Sequence, residues 1–274
     1  AALLLPPATD YLLVPKVPRL VVARYQTYRD TFTRILVEER VPIELLAVAF
    51  VESGFNPQAL SPKGARGIWQ FMPDTARNFI YVTPLVDERN SPYKATRAAA
   101  QLLLSNYRTL GSWPLAITAY NHGALGMARA VGQVHSDDMG EIIKRYESPS
   151  FGFASKNFYA EFLAASNIYD RLVRTKKIKR VAPQPETESI ILQRPLSVAQ
   201  ILKHTPLTRE LLMDNNPCLL EAALTTQLDK PLPAFYELKV PHALARAAKA
   251  ALSTIKEIRY VSSNHPKRKV IARK

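Results

Sequence analysis

Apolar residues recur at helical spacing from Leu20 to Val41. Val21, Val22, Tyr25, Tyr28, Phe32, Ile35 and Leu36 share a face, with Arg and Glu between them, which is the pattern of an amphipathic helix. Pro42 stands where a first-turn proline belongs, and the nearly continuous apolar run IELLAVAFV follows, closed by Ser53-Gly54. Periodicity alone does not separate a buried helix from a buried strand in so short a run. The preceding helix, the proline start and the glycine stop favour the helix. Met72-Pro73-Asp74, Ser91-Pro92, Trp113-Pro114 and Asp137-Asp138 each open a further helix, the second of them running to Gly111. The segment FASKNFYAEFLAASNIYDRLVR supplies a last long helix, with Phe158, Phe162, Ala165 and Tyr169 on one side.

The texture changes after residues 181–188 (VAPQPETE), which read as a linker. SIILQ and FYELKVP have the look of short strands flanking two helical stretches, VAQILKH and TRELLMDNN, a β-α-α-β order. HALARAAKAAL then forms a final helix. The predicted organisation is an N-terminal extension (1–19), a helical domain (20–180), a linker (181–188), a β-α-α-β segment with its helix (189–258) and a basic tail (259–274). The fold class is mainly α, followed by a small α+β appendage.

At 274 residues and 47% hydrophobic, the chain can bury one large core or two ordinary ones, which excludes a disordered or disulfide-stapled protein. The single cysteine, Cys218, cannot build a disulfide within the chain or a four-thiolate metal site. No run approaches ~18 consecutive apolar residues. The amino end AALLLPPATDYLLVP is too short and proline-broken for a complete secretory signal, and reads as a mature or trimmed chain. The net charge is +14, and residues 171–274 carry most of it, with 20 Lys and Arg against 8 Asp and Glu. RLVRTKKIKR at 171–180 and the tail from Arg259 to Lys274 each hold six basic residues. These clusters fit either a solvated linker and tail or a surface for an anionic polymer. Nucleic acid is disfavoured as partner, because neither zinc-ligand spacing nor an RNA-recognition signature accompanies the charge and the basic clusters hold few aromatic residues.

Candidate chemistry concentrates between Glu52 and Pro73. A carboxylate ending an apolar helix, with Phe55, Trp69 and Phe71 close in sequence, would be partly desolvated, which raises its pKa toward the range of a general acid. The alternative is an ordinary helix-terminal surface residue. Gly54, Gly64 and Gly67 allow close backbone approach, and Gln70 places an amide inside the apolar run IWQFM. Tyr120-Asn121 ends another apolar helix and offers a phenol and an amide to a polar ligand, or a simple core tyrosine.

The pattern E-S-G-F-N-P-x-A-x-S-x-x-G-A-x-G-I-W-Q-F-M-P-x-T-A, beginning at Glu52 and followed ~50 residues later by A-Y-N-x-G, resembles the soluble-lytic-transglycosylase catalytic domain, a lysozyme-like α fold shared with goose-type lysozyme. The resemblance covers about residues 20–175. It implies cleavage of the β-1,4 bond between N-acetylmuramic acid and N-acetylglucosamine in peptidoglycan, leaving 1,6-anhydro ends, without metal or organic cofactor. By position it makes Glu52 the catalytic acid, places Ser53, Gln70 and Met72 along the sugar subsites, and gives Tyr120 and Asn121 the task of stabilising the transition state and holding substrate. A conventional glycosidase needs a second carboxyl, and Glu44, two helical turns and ~12 Å back, is too distant to serve. A one-carboxylate mechanism with a nucleophile from the substrate is the economical expectation.

Two departures stand out. Where relatives carry an acid in E-T-x-x-Y-V, the chain reads Ala154-Ser155-Lys156-Asn157-Phe158-Tyr159. Glu161 is a partial substitute, or the cleft takes a modified, de-N-acetylated or peptide-poor glycan. His122 stands where many relatives have alanine, either as a cleft residue or a structural one. From Ser189 to Pro241 the chain is similar to a degenerate LysM glycan-binding module, as found in relatives of membrane-bound lytic transglycosylase D, although Arg194-Pro195-Leu196-Ser197 replaces its glycine-rich turn. A packing or dimerising appendage is the alternative. The resulting expectation is a monomeric enzyme of the periplasm or cell envelope, or a secreted one, acting on peptidoglycan strands and held by anionic envelope polymers. A hydrolytic lysozyme and a non-catalytic wall-binding protein are the alternatives.

Overall fold

A computed structural model describes residues 19–174 and 186–255. The chain divides into two compact units, Ala1–Gln184 with Pro217–Leu220 and Pro185–Asn216 with Glu221–Lys274. The N-terminal extension before Arg19, the lysine-rich part of 171–180, most of the linker and the basic tail lie outside the described residues, as does the side chain of Tyr169. No helix among the described residues is long and apolar enough to cross a membrane.

The first unit is helical throughout: α1 (Arg19–Glu38), α2 (Leu46–Ser53), α3 (Pro73–Ala76), α4 (Pro92–Leu110), α5 (Trp113–His122), α6 (Ala124–Val134), α7 (Met139–Arg145) and α8 (Phe153–Arg174). The starts follow the predicted signals. Ser91 caps α4 by accepting from Lys94 N at 3.3 Å with Pro92 just inside, and Asp138 caps α7 through Glu141 N at 2.8 Å. Pro42 differs from the expected first-turn position. It precedes a 3-10 turn, Ile43–Leu45, from which α2 continues.

Helix α6 is absent from the sequence expectation. Its buried positions are Gly126, Met127, Ala130 and Val134; the interior glycines Gly126 and Gly132 weaken the helical signal, and Gly123 (φ 87°) separates it from α5.

The main core gathers Phe32 and Leu36 of α1, Leu46 to Ala49 of α2, Leu103 of α4, Ile117 of α5 and Phe162 of α8 around Trp69. The fully buried Trp69 indole donates to Thr96 Oγ1 at 2.8 Å, and that hydroxyl donates to Pro92 O at 2.7 Å. A second cluster, with Leu115, Met127, Ile142, Tyr146 and Phe151, packs α5, α6 and α7. Residues 217–220 also belong to this unit: Leu219 bridges Val86, and Asp87 N donates to Cys218 O at 2.8 Å.

The second unit contains the expected outer strands and two helices, and adds two short strands and a third short helix between them. Strand β1 (Thr187–Ile191) is followed by β2 (Leu196–Ser197), α9 (Val198–His204), α10 (Arg209–Asn215), α11 (Glu221–Leu224), β3 (Pro231–Leu232), β4 (Glu237–Pro241) and α12 (His242–Thr254). β1 and β4 pair antiparallel from Thr187↔Pro241 to Ile191↔Glu237, and β2 pairs with β3. Ser197 opens α9 with a reciprocal capping box to Gln200. Buried Asn216 fastens α10 to β4, its Nδ2 donating to Lys239 O at 2.8 Å and its Oδ1 accepting from Lys239 N at 2.8 Å. The structure is therefore mainly helical with a small α+β part, as expected.

Replacing Thr96 with Val leaves the buried Trp69 N–H without an acceptor. The expected loss is about 1–3 kcal/mol, measured as a shifted denaturant midpoint with unchanged slope.

Candidate active site

Three helices and one loop position the site. Glu52 lies in the last turn of α2, which stops at Gly54, a left-handed residue (φ 56°) whose N–H closes on Phe50 O at 2.9 Å. α2 and α5 both pack against α8. The loop from Ala59 to Phe71 completes the arrangement.

Glu52 is partly buried and makes no hydrogen bond or ion pair to any described residue. Its pKa is pushed up to about 8, mainly by burial and secondly by the negative charge of Glu161 on α8. At neutral pH the carboxyl is therefore mostly protonated and can give a proton away.

Its neighbours direct their donors elsewhere. Ser53 Oγ donates to Ile68 O at 2.7 Å and accepts from Asn56 N at 3.1 Å, so it ties the end of α2 to the loop. Tyr120 donates its hydroxyl to Trp69 O at 2.8 Å. Its ring stacks on Phe158 (6.4 Å, 10°) and tilts against Trp69 and Phe71. Burial and then the charge of Glu52 hold the Tyr120 phenol well above its ordinary pKa. Gln70 adopts φ 45° and donates through Nε2 to Gly67 O at 3.0 Å and Ala59 O at 3.2 Å. Asn121 is exposed and accepts from Ser155 Oγ at 2.8 Å. Met72 is exposed at the start of α3. The structure thus brings Glu161 and Tyr120 each into electrostatic reach of Glu52. It uses Ser53 and Gln70 to fasten the loop.

The loop itself is held by residues that the sequence did not single out. Buried Arg89 makes a two-point ion pair with Asp87 (2.9 and 2.7 Å) and donates to Gly64 O at 2.8 Å and Phe71 O at 2.9 Å, pinning both ends of the turn. Gly67 (φ 79°) lies so close to this strut that a Cβ would stand 2.1 Å from Arg89 O. Charged residues before Ser91-Pro92 look solvent-facing by pattern, and only the close passage of the loop explains their burial. Ser155 and Phe158, likewise not assigned to the site, enter the sequence reading only within the window where relatives carry an acid and, for Phe158, as part of a helical stripe. Among the described residues, no group of three or more His, Cys, Asp or Glu could hold a metal ion.

Residues 35–143 match the transglycosylase SLT domain family. Membrane-bound lytic murein transglycosylase D of Escherichia coli (strain K12) is 33% identical over 113 residues, 40% of this chain and 25% of that protein. A putative tributyltin chloride resistance protein of Alteromonas sp. (strain M-1) is 32% identical over 114 residues, 41% of this chain and 55% of that protein. The chain thus spans between a quarter and about half the length of these relatives. The 70 kDa soluble lytic transglycosylase of Escherichia coli superposes with a TM-score of 0.46 at 24% identity, over 54% of this chain and 25% of that one.

Two outcomes follow from this geometry. Gly67→Ala forces both a left-handed alanine and a backbone clash, and is expected to cost more than about 2 kcal/mol in a thermal or denaturant melt. For Glu52 the folded-state pKa lies above the ordinary 4.5. Its contribution to stability is therefore complete below that pH and is lost as the pH rises to about 8. Melts of the parent and of Glu52→Gln across this range are expected to diverge in favour of glutamine, and to stay parallel below it.

Proposed function

We propose that the SLT domain, together with helix α8, is a peptidoglycan lytic transglycosylase that cleaves the β-1,4 bond between N-acetylmuramic acid and N-acetylglucosamine. One feature carries the reading: the Glu52 carboxyl, with no hydrogen bond or ion pair to a described residue and its pKa pushed up to about 8 by burial, inside the segment that matches the family. Glu52 gives its proton to the glycosidic oxygen as the C1–O bond breaks. The resulting carboxylate then takes the proton from the C6 hydroxyl of the same muramic acid, whose oxygen closes on C1 to form the 1,6-anhydro ring. The Tyr120 proton is committed to Trp69 O, so its oxygen acts toward the sugar as an acceptor and favours the positive charge that grows at C1. Asn121, held through its Oδ1, presents its amide NH2 to the substrate. Gln70 and Met72 line the sugar path, and Ser53 supports it.

Glu161 favours a second reading within the same site. Its charge acts on Glu52, so the cleft holds a second carboxylate that can accept a proton from water, and the enzyme is then a hydrolytic lysozyme. The β-α-α-β topology of the second unit supports a LysM-like wall-binding appendage. The basic excess of residues 171–274 suits anionic envelope polymers, with the periplasm or envelope as the place of action.

The test is mass spectrometry of fragments released from native and de-N-acetylated sacculi by the parent, Glu52→Gln and Glu161→Gln proteins. Anhydro-ended fragments from the parent are expected, with a loss of about 10²–10⁴-fold in Glu52→Gln. Reducing ends that vanish in Glu161→Gln establish the hydrolytic reading. No fragments from the parent on either substrate would leave a non-catalytic wall-binding role.

A further inference from the structure

Residues 217–220 pack with the first unit, although the chain on either side of them belongs to the second. Backbone bonds set their place there. Leu85, Val86 and Asp87 lie on the returning arm of a tight turn, in which Thr83 N donates to Val86 O at 2.7 Å and Glu88 N to Tyr81 O at 2.8 Å. On the other edge of that arm Asp87 N donates to Cys218 O at 2.8 Å, Leu220 N donates to Leu85 O at 2.9 Å, and Val86 bridges Leu219 antiparallel. The Asn90 side chain adds a bond from Nδ2 to Pro217 O at 3.1 Å. The segment is thus a third extended piece of chain, laid on an edge whose backbone groups would otherwise face water.

The covered arm carries charge that depends on staying dry. Leu85 to Arg89 are five consecutive buried residues, three of them charged. Asp87 holds Arg89 at two points, and Arg89 donates to Gly64 O and Phe71 O. An exposed ion pair contributes little, whereas a buried one holds firmly once its geometry is fixed. Cys218 and Leu219 are themselves buried, and they keep water from the Asp87 backbone, where the strut begins. The strut ends on the loop that supports the reacting groups. Ser53, next to Glu52, bonds to Ile68 O, and Tyr120 bonds to Trp69 O. Both carbonyls lie between the two points that Arg89 pins, so residues 217–220, strut, loop and site form one continuous chain of hydrogen bonds.

We propose that Pro217–Leu220 is a positioning strap for the active site: by covering the 85–87 edge it fixes Asp87, and through Arg89 the 59–71 loop on which Ser53 and Tyr120 rest. Four residues far outside the 35–143 family match thereby complete the catalytic unit. At one end the strap continues from Asn216, whose side chain is bonded to the Lys239 backbone, and at the other it enters α11 at Glu221. The effect on catalysis rests on the roles proposed for Glu52 and Tyr120, whereas the strap itself does not.

Cys218 is the chain's one cysteine and is buried. Its rate of reaction with dithionitrobenzoate in the full-length chain therefore reads opening of the strap. Leu219→Asp puts a charge into the buried edge. Leu220→Pro removes the N–H given to Leu85 O, just ahead of a helix, where proline is tolerated. Leu219→Val keeps an apolar side chain suited to extended backbone. Both disruptive variants are expected to speed the thiol reaction about tenfold or more, and to speed hydrogen–deuterium exchange of the peptide covering 59–71 by a similar factor, with β1 and β4 exchanging as in the parent. Release of sacculus fragments is expected to fall about tenfold in kcat in both, and Leu219→Val to match the parent in all three readouts. A thiol unchanged in both variants, or loosening confined to β1 and β4, overturns the strap. A reactive thiol with parental exchange at 59–71 overturns its hold on the loop. Faster exchange there with parental kcat overturns the link to catalysis. A parent that releases no fragments defeats the Glu52 reading instead, and thiol reactivity and exchange still decide the strap.

Discussion

A carboxyl group keeps its proton at neutral pH only if water and donors are kept from it. Most of the helical unit around Glu52 can be understood from that constraint. Three polar side chains of the site have their donors turned to other acceptors. Ser53 donates to Ile68 O, Tyr120 to Trp69 O, and Gln70 to Gly67 and Ala59. The same bonds that withhold donors from Glu52 also hold the 59–71 loop against the ends of α2 and α5. Rigidity and acidity thus come from one set of contacts. The single charge that reaches Glu52, that of Glu161, pushes in the same direction as burial.

Holding the loop this way requires strong anchoring beneath it, because its backbone carbonyls are already occupied from above by side chains. The buried Asp87–Arg89 pair supplies the anchor at Gly64 and Phe71. The ion pair has its remaining hydrogen-bonding capacity met by backbone, the condition under which a buried pair is tolerated. Gly67 is the geometric cost of that closeness.

The parts legible in the sequence were those written in local chemistry. The proline starts at Pro73, Pro92 and Pro114, the caps at Ser91 and Asp138, the apolar run of α2, and the outer strands and first two helices of the second unit all correspond to observed elements, whereas Pro42 precedes a 3-10 turn. Position at the end of an apolar run drew attention to Glu52 but left an ordinary surface residue open, and its role came from the family resemblance. Helix α6 was not legible, since its interior glycines, Gly126 and Gly132, read as helix breakers although Met127 and Val134 are buried. Nor were Arg89 and Asp87, whose burial depends on a loop some twenty residues away. Ser53 and Gln70 were read as facing sugar from their place in a motif, and only coordinates reveal that their donors already bind backbone.

The protonation state of Glu52 is the most direct point of attack. With glutamate carboxyl carbons labelled, an NMR titration of the full chain, assigned by comparison with Glu52→Gln, would follow this group alone. A midpoint near 8 that falls when Glu161 is changed to glutamine is the predicted result. A midpoint near the ordinary 4.5, indifferent to Glu161, would contradict a buried acid charged with its proton at neutral pH.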